Sequence, residues 1–170
     1  DYRLLVAGAG PQTDWFREQG DKLIPGKIIQ LGHVDKEVLA GFYANADVFV
    51  HPNPREPFGI APLEAMASGV PTLAPNSGGI LSYASNENAW LVKPTAEDFA
   101  AAVREIVGDN ELRNRKVTNA LATAEQNTRE ASTDLLFATY DKIYKIFQDR
   151  NELFTEIEQA KKHDYSEVLL

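Results

Sequence analysis

An α/β fold, with a parallel sheet covered by helices on both faces and long helices at the carboxy-terminal end, is predicted by three observations on these 170 residues. Short β-branched and aromatic runs alternate with amphipathic stretches between Leu4 and Gly108, Gly, Pro, Asn or Asp marks most changes between them, and from Glu111 onward the pattern is helical only. Strands that alternate with helices run parallel and are buried on both faces.

Leu4 to Ala7 reads as the first strand, closed by the Gly8-Ala9-Gly10-Pro11 turn. Asp14 is expected to cap a helix carrying Trp15 and Phe16, and Lys27 to Leu31 follows as the second strand. Asp35 is expected to cap a helix with Val38, Leu39, Phe42 and Tyr43 on one face. Asp47 to Val50 is the third strand, stopped by His51-Pro52-Asn53-Pro54, because proline cannot donate to a ladder. Ile60 to Ser68 is a helix with Pro62 in its first turn, where a missing N–H costs nothing, and Gly69-Val70-Pro71 ends it. Val70 to Ala74 and Ala89 to Val92 are the last strands. Thr95, with Asp98 three residues on, opens a helix whose Phe99, Val103, Ile106 and Val107 form a stripe that Gly108 stops. One further helix runs to about Asn127, and a long one is expected from Thr133 to about Lys162. The chain thus divides into a sheet lobe, residues 1–126, and a helical extension, residues 127–170.

The chemistry concentrates between Glu56 and Pro71. A helix opening near Ile60 leaves the N–H groups of Phe58, Gly59 and Ile60 without intrahelical partners, and its dipole adds roughly half a positive charge there. Phosphate belongs at such an end, and Gly59 has no side chain to keep it away. Glu56 precedes that end and Glu64 lies eight residues on, one turn inside the helix. A carboxylate accepts hydrogen bonds from vicinal hydroxyls, so Glu64 suits a ribose diol and Glu56 the hydroxyls of a sugar attached to the outer phosphate.

Glu56-Pro57-Phe58-Gly59-Ile60-Ala61-Pro62-Leu63-Glu64, followed by Ala-Met-Ala-Ser-Gly-Val-Pro, resembles the E-x7-E segment of the retaining GT-B glycosyltransferases of family four, the group 1 glycosyltransferases. The resemblance implies a Rossmann-like GT-B carboxy-terminal lobe that binds a nucleoside-diphosphate sugar. Glu56 then takes the catalytic position beside the donor sugar, the amides of Phe58, Gly59 and Ile60 meet sugar and phosphate, and Glu64 holds the ribose. Val6-Ala7-Gly8-Ala9-Gly10-Pro11 is similar to the family's glycine turn, placing Gly8 near the donor, and Leu31-Gly32-His33-Val34 is similar to the segment bordering the nucleobase, placing Gly32 and Val34 beside it. A dinucleotide fingerprint fails here, because Thr13 stands where the third glycine belongs and no acidic residue ends the second strand. Asn76-Ser77-Gly78-Gly79-Ile80 is similar to the family's glycine pair, with Ser82 in place of a usual glutamate.

The family also carries a basic strand-and-helix unit before the first strand seen here, and an amino-terminal acceptor domain. Both are expected outside this chain, which opens directly on a strand and reads as a fragment, inactive alone. The apolar stripe from Leu136 to Ile157 is expected to cross to that other domain; packing on the sheet lobe or dimerisation is the alternative. A noncatalytic nucleotide-binding module and a GT-B epimerase or phosphorylase are the rival functions.

Composition narrows the partners. The 17 basic and 25 acidic residues leave a net charge of −8, which opposes binding to nucleic acid or an anionic membrane. No apolar run approaches the ~20 residues of a membrane span. There is no cysteine, which fits a cytoplasmic setting, and the three histidines lack metal-site spacing. No metal and no cofactor is expected, the sugar nucleotide being a substrate. His51 is expected to orient the Glu56 loop or to serve in packing or capping rather than in proton transfer, His33 to be solvated, with a ligand contact as the alternative, and Trp90 to fill the core.

Overall fold

A computed structural model describes residues 2–166. Five strands, β1 (Leu4–Ala7), β2 (Ile28–Gly32), β3 (Phe49–Val50), β4 (Thr72–Pro75) and β5 (Trp90–Val92), alternate with helices α1 (Thr13–Leu23), α2 (Lys36–Ala44) and α3 (Ile60–Ala67) and a 3₁₀ turn at Gly79–Ser82. Helices α4 (Ala96–Gly108), α5 (Asn110–Gln126), α6 (Arg129–Asp149), α7 (Glu152–Thr155) and α8 (Ile157–Ala160) complete the chain. Every strand pair is parallel, as predicted.

The strands form two sheets where one was expected: β1 pairs with β2, and β3-β4-β5 pair in that order. β1 and β3 are not hydrogen-bonded to each other, so each keeps an open edge. Burial follows the split. β4 is buried at every position, with Leu73 packed among Trp90, Ala102 and Ile106 on the α4 side and Ala74 among Met66, Ile80 and Ala120 on the α3 and α5 side. Consecutive strand residues point to opposite faces, so helices cover both faces of this sheet. Leu4 and Leu5 of β1 and Ile29 of β2 are exposed instead. The core sits under α3, α4 and α5, and it anchors α3 through Pro62, Ala65 and Met66.

Capping explains the helix starts unevenly. Thr95 caps α4, its hydroxyl accepting from the Asp98 N–H at 3.1 Å, as predicted. Asp14 caps nothing. It lies inside the first turn of α1 and pairs with Arg17 at 2.7 Å, and the cap position falls on Gln12. Asp35 does occupy the cap position of α2, without a side-chain hydrogen bond to the helix. Val38 and Val107, predicted on apolar stripes, are exposed.

The long terminal helix is shorter than predicted. It ends at Asp149, Arg150 leaves helical geometry (φ −147°), and α7 turns back to bury Leu153 and set the Phe154 ring edge-on to Phe147 at 5.4 Å. Closing that small aromatic contact competes successfully with continued helix, since Asn151 is a weak helix former. α6 buries no side chain among the described residues, and Leu135, Leu136, Phe137, Tyr140, Tyr144 and Phe147 lie exposed along it. Residues 1 and 167–170, the outermost of the predicted two-part division, lie outside the described residues. No described helix is long and apolar enough to cross a membrane.

Trp90 does more than fill space. Its indole N–H donates to Glu105 Oε2 at 2.9 Å, while the buried Lys116 lies 4.5 Å from its ring centre and donates to the Ala89 carbonyl at 2.9 Å. Burial lowers the Lys116 pKa, against the upward pull of Glu105 and Glu87. Glu105→Ala leaves the indole N–H without its acceptor, and we expect a loss of about 1–2 kcal/mol in chemical denaturation.

Candidate functional site

Two hydrogen bonds from the β3–β4 ladder set the root of the site. The N–H groups of Phe49 and His51 donate to the carbonyls of Pro71 and Leu73, each at 2.8 Å, carrying the ladder one residue past β3. Pro52 and Pro54 have no N–H to extend it, so the chain leaves the sheet as a loop that returns at α3.

Gly59 is the pivot of that return. It sits in the left-handed region (φ 97°, ψ 68°) at the cap position of α3, a conformation that residues with a Cβ resist. No side chain caps the helix. Among the described residues, no acceptor meets the N–H groups of Phe58, Gly59, Ile60 or Ala61. These open donors and the positive end of the dipole make the mouth of α3 suited to an anion.

A cleft of about 320 Å³ opens at this mouth, lined by His51, Glu56, Phe58, Gly59, Ile60 and Pro62 among others. The structure thus brings together four of the sequence-predicted residues, Glu56, Phe58, Gly59 and Ile60. Phe58 and Ile60 expose 44% and 66% of their surface, so both are reachable from solvent. Glu56 Oε2 accepts from Asn53 Nδ2 at 3.1 Å and lies 3.6 Å from the buried His51 Nε2, which has no hydrogen-bond partner among the described residues. Burial lowers the His51 pKa, and the nearby Glu56 carboxylate opposes that shift.

The other predicted residues lie apart from this lining. Glu64 is half-buried on α3, and its charge adds to burial in raising the pKa of Tyr43 on α2. Gly8 and Gly32 meet at the carboxyl ends of β1 and β2, the Gly8 N–H donating to the Gly32 carbonyl at 2.6 Å. Gly8 also borders a separate concavity of about 680 Å³ with Gly10, Thr13 and Phe16, and Val34 is half-buried between β2 and α2. Among the described residues, no cluster of three His, Asp or Glu side chains could hold a metal ion.

The segment after β4 clamps the Glu56 loop, a feature sequence reasoning did not find. The Gly79 N–H donates to the Glu56 carbonyl at 2.7 Å, Ser77 Oγ to the Pro54 carbonyl at 3.2 Å, and the Tyr83 hydroxyl to the Gly59 carbonyl at 2.6 Å. Phe58 packs on the Tyr83 ring at 5.2 Å. Burial first, and Glu56 second, push the Tyr83 pKa up to about 12, so its hydroxyl stays a donor. Ser82, which departs from the family pattern, bonds back to the Gly79 carbonyl at 2.7 Å and steadies the 3₁₀ turn. The contacts join residues more than twenty positions apart, so no local pattern marks Tyr83. Tyr83→Phe keeps the ring and removes one hydrogen bond; the expected cost is about 1 kcal/mol, a fall of roughly 2–4 °C in Tm by calorimetry.

Comparison with known proteins decides the family. The profile described as glycosyl transferases group 1 matches residues 1–123. The chain belongs to the group 1 glycosyltransferases. Among relatives of this family, a GDP-mannose-dependent alpha-mannosyltransferase of Corynebacterium glutamicum is 42% identical over 150 residues, which is 87% of this chain and 35% of that protein. A lipopolysaccharide core biosynthesis glycosyltransferase of Rhizobium meliloti is 40% identical over 135 residues, 77% of this chain and 39% of that protein. The sucrose-phosphate synthase of Thermosynechococcus elongatus shares the fold with a TM-score of 0.74 at 27% identity, over 84% of this chain and 39% of that one. The chain spans about a third of the length of the curated relatives it matches.

Proposed function

We propose that the chain is the donor-binding lobe of a retaining, family-four GT-B enzyme that transfers a hexose from a nucleoside-diphosphate sugar to an acceptor. The observation that carries this reading is the mouth of α3, where amides at Phe58 to Ala61 that find no acceptor among the described residues share one cleft with Glu56. Such a mouth stabilises the departing nucleoside diphosphate, the charge that grows as the glycosidic bond breaks. Glu56 orients the sugar, Glu64 the ribose, and Gly8, Gly32 and Val34 border the donor at the strand ends. No metal or cofactor enters the proposal.

The rest of a longer, cytoplasmic parent supplies an amino-terminal acceptor lobe and the basic residues for the diphosphate, and the helical extension from residue 127 packs against that lobe. The share of the relatives that this chain covers supports such a parent, and the exposed face of α6 supports the packing. The chain alone binds donor weakly and transfers nothing. GDP-mannose is the first donor to try, given the mannosyltransferase relative. The test is release of nucleoside diphosphate by the intact parent from GDP-mannose, UDP-glucose and ADP-glucose, with and without alcohol acceptors. Turnover of one of them is expected, and turnover of none contradicts the reading.

A further inference from the structure

We propose that His51 is a positioning residue for Glu56, its Nε2–H joining Asn53 Nδ2 on Oε2 so that Oε1 is the oxygen presented to a bound sugar. This rests on the reading of the cleft as a donor site.

The imidazole is held on a firm base. Its backbone is tied to Leu73, its ring stacks on Phe49 with centroids 6.4 Å apart and 21° between planes, and Phe49 in turn meets the buried Tyr43 edge-on at 5.4 Å. The side chain is 12% exposed, and its Nε2 is the one buried side-chain nitrogen or oxygen without a hydrogen-bond partner among the described residues. A buried polar atom without a hydrogen-bond partner is uncommon in a folded chain and calls for an explanation in function or binding.

The carboxylate is held less firmly. Glu56 is 26% exposed on a loop, and Asn53 is itself oriented by accepting the Arg55 N–H at 3.0 Å, which turns its amide nitrogen toward Glu56 Oε2. The 3.6 Å separation from His51 is outside hydrogen-bonding range, which ends at about 3.2 Å, so a shift of roughly half an ångström closes it. The stacked ring resists that shift and the loop carboxylate permits it. Oε1 accepts no hydrogen bond among the described residues, which leaves it available to sugar hydroxyls. Burial favours the neutral ring, and a neutral ring donates from Nε2 only as the Nε2–H tautomer.

The experiment uses the 170-residue chain. Calorimetric titration finds which of GDP-mannose, UDP-glucose and ADP-glucose binds wild type best, and that sugar nucleotide and its nucleoside diphosphate are then compared on His51→Phe and His51→Gln. His51→Phe is expected to weaken the sugar nucleotide about tenfold while leaving the nucleoside diphosphate within about twofold, and His51→Gln, which restores a donor at similar reach, to recover most of the loss. Long-range ¹H–¹⁵N spectra of the wild-type ring, at saturating sugar nucleotide, are expected to show the Nε2–H tautomer. This reading requires no variant to fold. An Nδ1–H tautomer, or equal losses for both ligands in both variants, overturns the positioning role and leaves the donor site standing. Wild type that binds no sugar nucleotide removes the site and this inference with it.

Discussion

Gly79→Ala is expected to lower stability by about 3 kcal/mol, a fall of roughly 6–12 °C in Tm, and to weaken sugar-nucleotide binding along with it. A Cβ on Gly79 would fall inside the Pro57 carbonyl and crowd the Phe58 nitrogen, both of them backbone atoms of the loop that carries Glu56. Backbone cannot rotate aside as a side-chain tip can, so the loop must move, and with it the 2.7 Å bond from the Gly79 N–H to the Glu56 carbonyl. Gly10→Ala is the control, since its Cβ would meet nothing within 4 Å. That variant should stay within about 0.5 kcal/mol of wild type. Differential scanning calorimetry of the pair separates a clamp that must be glycine from a loop that merely contains one.

Glu56→Gln and Glu64→Gln should split by ligand, and this contrast is the largest effect on function. Glu56 sits at the outer mouth of α3, its Oε1 accepting no hydrogen bond among the described residues, while Glu64 lies one helical turn deeper, outside the cleft lining. A charge-assisted hydrogen bond contributes about 1.5–3 kcal/mol, or roughly 10- to 150-fold in an equilibrium or a rate. In the intact parent, Glu56→Gln should cut transfer by about 100-fold and leave nucleoside-diphosphate affinity nearly unchanged. Glu64→Gln should weaken the nucleoside diphosphate and the sugar nucleotide alike, by about tenfold or more. Isothermal titration with both ligands, beside initial rates, checks the split. Equal losses from the two variants would assign both carboxylates to one role.

What could be read from the chain was local. The bounds of α3 follow from Gly59, Pro62 and Gly69, and the start of α4 from Thr95 and Asp98, because each signal acts within one turn. Four cleft residues were likewise legible, since a loop, a glycine and a helix start are neighbours in sequence. Features that depend on distant partners were not. Separation of β1-β2 from β3-β4-β5 concerns which edges meet, and strand composition does not encode that. The hold of Tyr83 on Gly59 spans 24 positions, and the break of α6 at Arg150 depends on where Leu153 can bury. Asp14 shows the opposite error: a good capping residue yields its role when the helix begins two residues earlier than a cap at Asp14 would set it, at Thr13.

The mouth of α3 as the phosphate site is tested most directly by ¹H–¹⁵N correlation spectra of the labelled chain titrated with GDP, UDP and ADP. Saturable shifts should appear at the amides of Phe58, Gly59 and Ile60 for at least one of the three, and Glu64→Gln should move the same shifts to higher ligand concentration. Shifts that leave those amides untouched while saturating elsewhere, at the concavity beside Gly8 for example, would contradict it.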